Sequence, residues 1–278
     1  MTSSSKHLAS DRVMIMAAPN GARRTHHDHP NLPMTAKESA AEARDLVEAG
    51  VSILHLHVRD RDGNHSIDPD LYREATAAVR DAVGDELVIQ VTTEAVGRYQ
   101  PAEQMACVRD LQPEAVSLAL RELCPDDSQV PTFRDFCEEM RERGVWPQYI
   151  LYSPEDVARF ETYIADGVFA DEAPFAMLVV GAYSPARNGT PTELAGLVTR
   201  QSSRYPWAVC CFGKHEQSVA CAAYAQGGHV RLGFENNLTM ADGTRAADNA
   251  ALIRDFVAQI DLDLRQPANA NEVREAFL

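Results

Sequence analysis

The stretch Val51-Ser52-Ile53-Leu54-His55-Leu56-His57-Val58 is an apolar run of strand length that carries two histidines near its end. A helix is predicted before it, beginning at Thr35 as N-cap with Glu38 three residues later, and ending at Gly50. Another helix is predicted after it, over residues 69–83. A buried strand with a helix on each side is typical of the βαβ units that build parallel sheets.

The same alternation continues along the whole chain of 278 residues. Continuous apolar runs predict strands that are buried on both faces, at residues 13–18, 51–58, 87–93, 115–120, 146–152, 175–180, 207–212 and 229–233. Eight such runs alternate with eight helical segments, and no G-x-G-x-x-G turn follows the first run. These features favour an α/β fold of the closed (β/α)8 TIM-barrel type over a doubly wound open sheet.

Composition limits the location and the partners of the protein. The net charge of −15, with no run of Lys or Arg, argues against nucleic acid or an anionic membrane as partner. No apolar run is long enough for a membrane span, and the polar N-terminus lacks the apolar core of a signal peptide. None of the six cysteines forms a C-x-x-C pair. We predict a cytoplasmic protein with a disordered tail over residues 1–10 and a single catalytic barrel over residues 11–278.

His55 and His57 are the strongest chemical signal in the chain. Side chains alternate between the faces of a strand, so these two imidazoles point the same way. In a barrel that direction is the interior, at the C-terminal mouth where active sites lie. Imidazole nitrogens in this arrangement suit Zn²⁺. The alternative interpretation is a pair of hydrogen-bonded core histidines.

A third ligand is available in Glu235, which follows the eighth run. Only strand one separates strands eight and two in a closed barrel, so Glu235 can converge with the histidine pair. Two histidines and a glutamate leave a coordination position open, as catalytic zinc sites do. The alternative for Glu235 is a surface carboxylate. The cluster at residues 26–29 (His-His-Asp-His) also resembles a metal motif, but a loop over the site or a subunit contact is the preferred interpretation.

Five stretches together carry a family resemblance: PNLP at 30–33, HLHVR at 55–59, IQVTT at 89–93, WAV at 207–209 and GHVRLGFENN at 228–237. With them, the chain resembles the β-keto acid cleavage enzyme family. The resemblance implies a homo-oligomeric, tetrameric TIM barrel with bound Zn²⁺. It also implies a reaction in which a β-keto acid and acetyl-CoA condense and the adduct is cleaved to acetoacetate and a new acyl-CoA.

The resemblance also assigns roles to individual residues. His55, His57 and Glu235 match the metal ligands, and Arg231 matches the catalytic arginine that also binds substrate. Thr92 and Ser117 stand where the family has a serine and a threonine. Both therefore keep a hydroxyl that can bind a substrate carboxylate or carbonyl oxygen in catalysis.

Two departures from the family pattern affect the chemistry. Asn236 stands where the characterised member has an aspartate that works with the arginine as the base, and an amide cannot accept a proton. Glu94 is the predicted replacement base, with His215 second; the alternative for Glu94 is a solvated loop acid. Arg23 stands where the member with an amino substrate has an acid. Arg23 suits a substrate carboxylate, unless it is only a solvated loop charge, and it predicts anionic or neutral β-keto acids.

Two other functions remain open from the sequence. One is a zinc hydrolase of the amidohydrolase type, which places its H-x-H motif on strand one and further metal histidines on strands five and six. This chain has the pair on strand two and no histidine in runs five and six. The other is a non-catalytic barrel that binds metal or an acyl-CoA, an interpretation supported by Asn236.

Overall fold

Eight parallel strands close into a barrel in the computed structural model of the chain. The structure describes residues 8–171, 173–183, 185–198 and 204–278, so residues 1–7 of the predicted tail lie outside the described residues. In chain order the strands are β1 (Arg12–Val13), β2 (Ile15–Ala17), β3 (Ile53–Leu56), β4 (Val58–Arg59), β5 (His65–Ser66), β6 (Val88–Thr92), β7 (Ala115–Ala119), β8 (Trp146–Leu151), β9 (Phe175–Val180), β10 (Trp207–Cys211), β11 (His229–Leu232) and β12 (Gln266–Pro267).

The barrel consists of β2, β3, β6, β7, β8, β9, β10 and β11, which neighbour one another in chain order before β11 returns to β2. The predicted (β/α)8 TIM barrel is therefore confirmed. Two small additions lie outside it. Strand β1 pairs in parallel with β12, and β4 forms an antiparallel hairpin with β5. His57 lies between β3 and β4, where the barrel strand gives way to this hairpin.

The helices of the described residues surround the barrel. They are α1 (Ala36–Glu48), α2 (Pro69–Val83), α3 (Pro101–Leu111), α4 (Leu120–Leu123), α5 (Val130–Glu142), α6 (Pro154–Ala165), α7 (Pro191–Leu197), α8 (Glu216–Ala225), α9 (Asn249–Gln259) and α10 (Ala270–Phe277). Helix α1 begins with the predicted capping box, in which Thr35 accepts from the backbone of Glu38 and Glu38 returns to the backbone of Thr35. Within the described part of the chain, no helix combines the length and the apolar character needed to cross a membrane.

Helix α10 closes the N-terminal end of the barrel. Its Phe277 ring stacks on Trp146 with the ring centroids 4.5 Å apart, and Val273 is completely buried against the same apolar cluster. The lower interior of the barrel is filled with apolar side chains such as Met16 and Ile53. This end is therefore a packed core, and the open end is the C-terminal mouth.

Toward the mouth, the interior side chains change from apolar to polar. Ile53 pairs with Val88 across β3 and β6, and two residues further on His55 pairs with Gln90. His55 and Gln90 are fully buried, like the apolar pair below them. The strand period of two thus places polar groups on the same inward face as the core, one level higher. This level is the floor of the site.

Candidate active site

A cavity of about 340 Å³ opens at the C-terminal mouth of the barrel. Its walls come from the loops that follow β2, β6, β7, β8, β9, β10 and β11, together with the end of β3. Six of the predicted site residues line it: Arg23, His55, Thr92, Glu94, Arg231 and Glu235. The position agrees with the general location of active sites in TIM barrels.

His55, His57 and Glu235 converge on one point beneath this cavity. The Nε2 atoms of the two histidines lie 3.1 Å apart. Oε2 of Glu235 lies 3.5 Å from Nε2 of His55 and 3.6 Å from Nε2 of His57. Metal–ligand distances of about 2.0–2.2 Å in a tetrahedral zinc site would separate the ligand atoms by about 3.3–3.6 Å. The two carboxylate–imidazole separations fit such a site, and the 3.1 Å between the two Nε2 atoms is slightly shorter.

The hydrogen bonds of the histidines show which nitrogen of each ring is free. Nδ1 of His55 lies 2.8 Å from the side-chain oxygen of Gln90, which can only accept, so His55 carries its proton on Nδ1. Nε2 of His65 donates to the backbone oxygen of Glu94 at 2.9 Å. Nδ1 of His65 is then an acceptor, 3.5 Å from Nδ1 of His57. The Nε2 atom of His55 is therefore unprotonated, and it accepts from Arg231.

This arrangement is unfavourable without a cation. The two imidazole Nε2 atoms are 3.1 Å apart, and Oε2 of Glu235 is buried without a hydrogen-bond partner. Burial, followed by the charge of Arg231, lowers the pKa of His55 well below its usual value, which keeps the ring neutral. Burial opposes ionisation of Glu235, but its pKa is lowered, chiefly by the charge of Arg231. Imidazole nitrogens and an ionised carboxylate are the donor set that a divalent metal requires.

The predicted triad is also the group with metal-ligand geometry that the described residues contain. The histidine cluster at residues 26–29 does not join it. His29 is buried, and its Nε2 lies 2.9 Å from the backbone oxygen of Ala246. His26 lies 3.3 Å from a carboxylate oxygen of Glu38. These contacts anchor the loop after β2, which is a structural role.

The loop after β2 approaches Glu235 so closely that it requires a glycine. Gly21 has φ of 64°, and a Cβ built on it would lie 2.5 Å from Cγ of Glu235. The guanidinium of Arg59 donates to the backbone oxygens of Gly21 and Ala22. Arg59, the last residue of the H-x-H-x-R stretch, thus holds the loop against the metal ligand.

Arg231 links the triad to a second buried network. Its Nη1 lies 3.1 Å from Nε2 of His55, and its Nη2 lies 3.1 Å from Sγ of Cys210 and 3.4 Å from Oε1 of Glu235. The Cys210 thiol donates to Oδ1 of Asn236 at 3.2 Å. Asn236 donates its amide to Oε1 of Glu216 at 3.2 Å and to the backbone oxygen of Arg231 at 3.3 Å. Asn236 therefore supports Arg231 from behind, fully buried and outside the cavity wall.

Glu94 and Arg23 meet at the cavity mouth. Nη2 of Arg23 lies 3.4 Å from Oε1 of Glu94, whose side chain is about one-quarter exposed (24%). Burial raises the pKa of Glu94. Oγ1 of Thr92 accepts from the backbone nitrogen of Glu94 at 3.1 Å, which leaves the hydroxyl proton of Thr92 for another acceptor. Nothing in the sequence indicates that Arg23 and Glu94 are in contact, whereas the structure shows an ion pair between them.

Ser117 and His215 do not line the cavity. Ser117 is buried in β7, directly beside Thr92 in the strand register, and its hydroxyl has no hydrogen-bond partner in the described structure. His215 is the N-cap residue of α8. Neither side chain reaches the cavity surface in this arrangement.

Several contributors to the site were not identified from the sequence: Gly21, His65, Gln90, Cys210 and Glu216. For Gln90 a signal existed, because a lone glutamine in the apolar run at 87–93 must have a partner inside the barrel. Glu216 is completely buried and accepts from Gly233, Asn236 and Asn237. Nothing in its local sequence distinguishes it from a solvated glutamate at a helix start.

Comparison with known proteins places the chain among related sequences. A family model described as beta-keto acid cleavage enzyme matches residues 12–278. The chain is 28% identical over 270 residues to the 3-keto-5-aminohexanoate cleavage enzyme of Fusobacterium nucleatum subsp. nucleatum, covering 95% of this chain and 97% of the relative. It is 24% identical over 255 residues to the 3-oxoadipate:acetyl-CoA acetyltransferase of Cupriavidus necator, covering 88% of this chain and 87% of that relative.

Solved structures with the same fold are more distant in sequence. The binary complex of ObcA with oxaloacetate superposes with a TM-score of 0.66 at 16% identity, covering 89% of this chain and 67% of that chain. This similarity supports the barrel architecture alone.

Proposed function

Because the chain belongs to the β-keto acid cleavage enzyme family, we propose that it condenses a β-keto acid with acetyl-CoA at a Zn²⁺ ion held by His55, His57 and Glu235. The products are acetoacetate and an acyl-CoA that retains the remainder of the substrate. The observation that carries the proposal is the convergence of two imidazole nitrogens on a buried carboxylate oxygen that has no hydrogen-bond partner. The names of the relatives support acetyl-CoA and a β-keto acid as the reactants.

A bound zinc ion would supply a Lewis acid for negative charge on the keto-acid oxygens. The chain's own residues supply the rest of the reaction. Arg231 is held in place by Cys210 and Glu235, and its guanidinium lines the cavity beside His55. It binds the substrate carboxylate. The hydroxyl of Thr92 lines the same wall and donates to a substrate oxygen. Ser117 lies behind that wall, where its free hydroxyl supports the polar floor.

Glu94 is the proposed base. It removes a proton from the carbon between the keto and carboxylate groups, and the resulting carbanion attacks the thioester carbonyl of acetyl-CoA. The CoA sulfur leaves that carbonyl and adds to the former keto carbonyl. Cleavage of the bond between the keto carbon and its neighbour then gives the acyl-CoA. The acetoacetate carbanion takes the proton back from Glu94, so that all atoms are accounted for.

Asn236 does not weaken this assignment. The carboxamide faces Glu216 and Cys210, away from the cavity, so its role is to position Arg231. The Arg23–Glu94 ion pair favours the ionised form of Glu94 and occupies the carboxylate that a cationic substrate would need at the entrance. We therefore propose that anionic or neutral β-keto acids are preferred over amino-substituted ones. A homotetramer in the cytoplasm and a single catalytic domain over residues 11–278 remain predictions.

The decisive experiment is a coupled assay of acetyl-CoA with a panel of β-keto acids, including 3-keto-5-aminohexanoate, before and after removal of metal with a chelator. We expect acetoacetate formation that is lost with the metal and restored by Zn²⁺. Metal analysis should find about one Zn²⁺ per subunit. A His55→Ala, His57→Ala double variant should lose the metal and keep its circular dichroism spectrum, because the ligands lie above the packed lower barrel. Stoichiometric zinc in that variant would refute the site.

A further inference from the structure

Arg121 occupies a distinctive position on the cavity wall. It follows β7 directly, within the short helix α4, and its guanidinium carbon lies 3.7 Å from the ring centroid of Tyr152, just after β8. Both residues line the cavity. A guanidinium stacked on a tyrosine ring is held in orientation while the edge that carries its N–H donors stays available. The backbone nitrogen of Tyr152 in turn donates to Asp156 at 2.8 Å, which anchors this segment.

The other arginines of the cavity are already engaged. Arg231 bonds to Glu235, Arg23 pairs with Glu94, and Arg187 pairs with Glu193 at 2.7 Å. Arg24 donates to the backbone oxygens of Phe234 and Asn236.

Arg121 differs from these four arginines. No carboxylate in the described parts of the chain forms an ion pair or hydrogen bond with it. The adjacent Glu122 is committed elsewhere, since its Oε2 accepts from Ala95 and Gln104, both at 3.0 Å. A fixed and uncompensated guanidinium on the wall of a small-molecule cavity is a binding group for an anion.

The position of Arg121 relative to the metal ligands indicates which end of the substrate carries the anionic group. The triad comes from β3 and from the loop after β11, which flank β2. Around the closed barrel, β8 is four strands from β2 in either direction, and β7 is its neighbour. Arg121 and Tyr152 therefore lie across the mouth from the triad. A substrate whose keto acid group is held at the triad extends its other end toward Arg121.

We infer that the substrate is a β-keto dicarboxylate, whose second carboxylate is bound at the far side of the cavity by Arg121 stacked on Tyr152. This inference rests on the proposed function for the reaction itself, and adds the substrate class. The planar guanidinium presents paired donors to a carboxylate, which a lysine or a neutral side chain does not reproduce. The phosphates of CoA are the other anions in the reaction and share this chemistry, so the test must separate the two sources.

The test compares two β-keto acids of equal chain length, 3-oxoadipate and uncharged-tailed 3-oxohexanoate, in the zinc-loaded wild type and in Arg121→Gln. We expect the wild type to prefer the dicarboxylate. In the variant, kcat/KM for the dicarboxylate should fall about 10- to 100-fold through a higher KM. In the same variant, kcat/KM for 3-oxohexanoate should change less than about threefold, which is no more than an ordinary surface substitution causes. Arg187→Gln is the matched control, because it removes a rim charge that Glu193 already compensates.

Three results would overturn the inference. One is equal turnover of the two substrates by the wild type. Another is an equal loss on both substrates in Arg121→Gln. The third is a rise in KM for acetyl-CoA that disappears with the acetyl thioester of N-acetylcysteamine, which would assign Arg121 to the CoA phosphates. Calorimetric titration of 3-oxoadipate without acetyl-CoA separates this inference from the proposed reaction. Arg121-dependent binding without any turnover would refute the reaction and keep the recognition site.

Discussion

The amide of Asn236 donates to Oε1 of Glu216 at 3.2 Å, and both side chains are completely buried. Gly233 and Asn237 also donate to the Glu216 carboxyl group, at 3.0 and 3.3 Å. Burial nevertheless raises the pKa of Glu216 to about 8, since these hydrogen bonds compensate only partly. Glu216 therefore needs a hydrogen-bond donor at position 236. An amide supplies this donor, whereas an aspartate would place a second carboxylate beside Glu216.

We expect Asn236→Asp to destabilise the protein, because it places a second carboxylate beside Glu216. The two acids can share one proton at low pH, so the loss should be small at pH 6. It should grow as the pH rises through about 8, reaching about 3 kcal/mol at pH 9. Thermal and denaturant unfolding at both pH values measure it. The Glu216→Gln, Asn236→Asp double variant restores an amide–carboxylate pair and should recover much of the loss. Unchanged stability of Asn236→Asp at pH 9 would contradict the interpretation.

His65 should tune the metal affinity without binding the metal. Its Nδ1 lies 3.5 Å from Nδ1 of His57 and its Nε2 donates to the backbone oxygen of Glu94, so its ring is placed to orient His57. Loss of such an outer partner typically weakens metal binding about 10- to 100-fold. We expect His65→Phe to show this change in zinc competition with a chelator of known affinity. His29→Phe is the control, since His29 is also buried against a backbone oxygen but is remote from the metal ligands. If the two variants lose the same amount of zinc affinity, His65 has no specific role in metal binding.

Glu94→Gln should retain zinc and fold but lose about 10²–10⁴ in kcat, the usual effect of removing a positioned base. The substitution preserves size and the hydrogen bond from the Glu94 backbone nitrogen to Thr92. Zinc content and unfolding temperature serve as internal controls. If kcat of the variant stays within about threefold of the wild-type value, the base is solvent or another residue, because a positioned base contributes a much larger factor to the rate.

Arg23→Gln should shift the acidic limb of the pH–rate profile. Burial raises the pKa of Glu94 and Arg23 opposes that shift, so removal of Arg23 raises this pKa further. A base acts when ionised, so activity falls as the pH drops through its pKa. The acidic limb of kcat/KM should therefore move to higher pH, while the rate at high pH is preserved. An acidic limb that stays in place would show that the Arg23 contact at 3.4 Å does not act on the base.

Glu42, which does not line the cavity, should make stability pH-dependent. Burial raises the pKa of this α1 side chain to about 7, partly opposed by hydrogen bonds from Asn249. An acid whose pKa is raised in the folded state favours folding when protonated. Its contribution is complete below the unfolded pKa of about 4.5 and is lost as the pH rises toward 7.

We expect wild-type stability to fall by up to about 3 kcal/mol across this interval because of Glu42. Glu42→Gln should flatten the profile, as measured by denaturant unfolding at pH 5 and pH 8. If the free energy of unfolding changes with pH by the same amount in the wild type and in the variant, Glu42 does not contribute to the pH dependence.

Much of the fold could be predicted from local patterns. The continuous apolar runs become the eight barrel strands within a few residues of their predicted bounds, and Thr35 caps α1 as its spacing with Glu38 indicated. The convergence of the metal triad was also predictable. Side chains alternate along a strand, so His55 and His57 point to the same side, and closure of the barrel brings Glu235 close to them. The structure brings these three residues together, and their role as zinc ligands remains the proposal.

The sequence by itself determined the barrel and the direction of the two histidines, because burial and strand alternation act between near neighbours in the chain. Only the tertiary structure decided that Arg23 meets Glu94, that Asn236 supports Arg231 through Glu216 and Cys210, and that Arg121 stacks on Tyr152. The members of each pair or network come from different strand ends or loops, distant along the chain. Their contacts arise when barrel closure gathers eight loop segments around one mouth, and no local spacing in the sequence encodes which side chains then face each other.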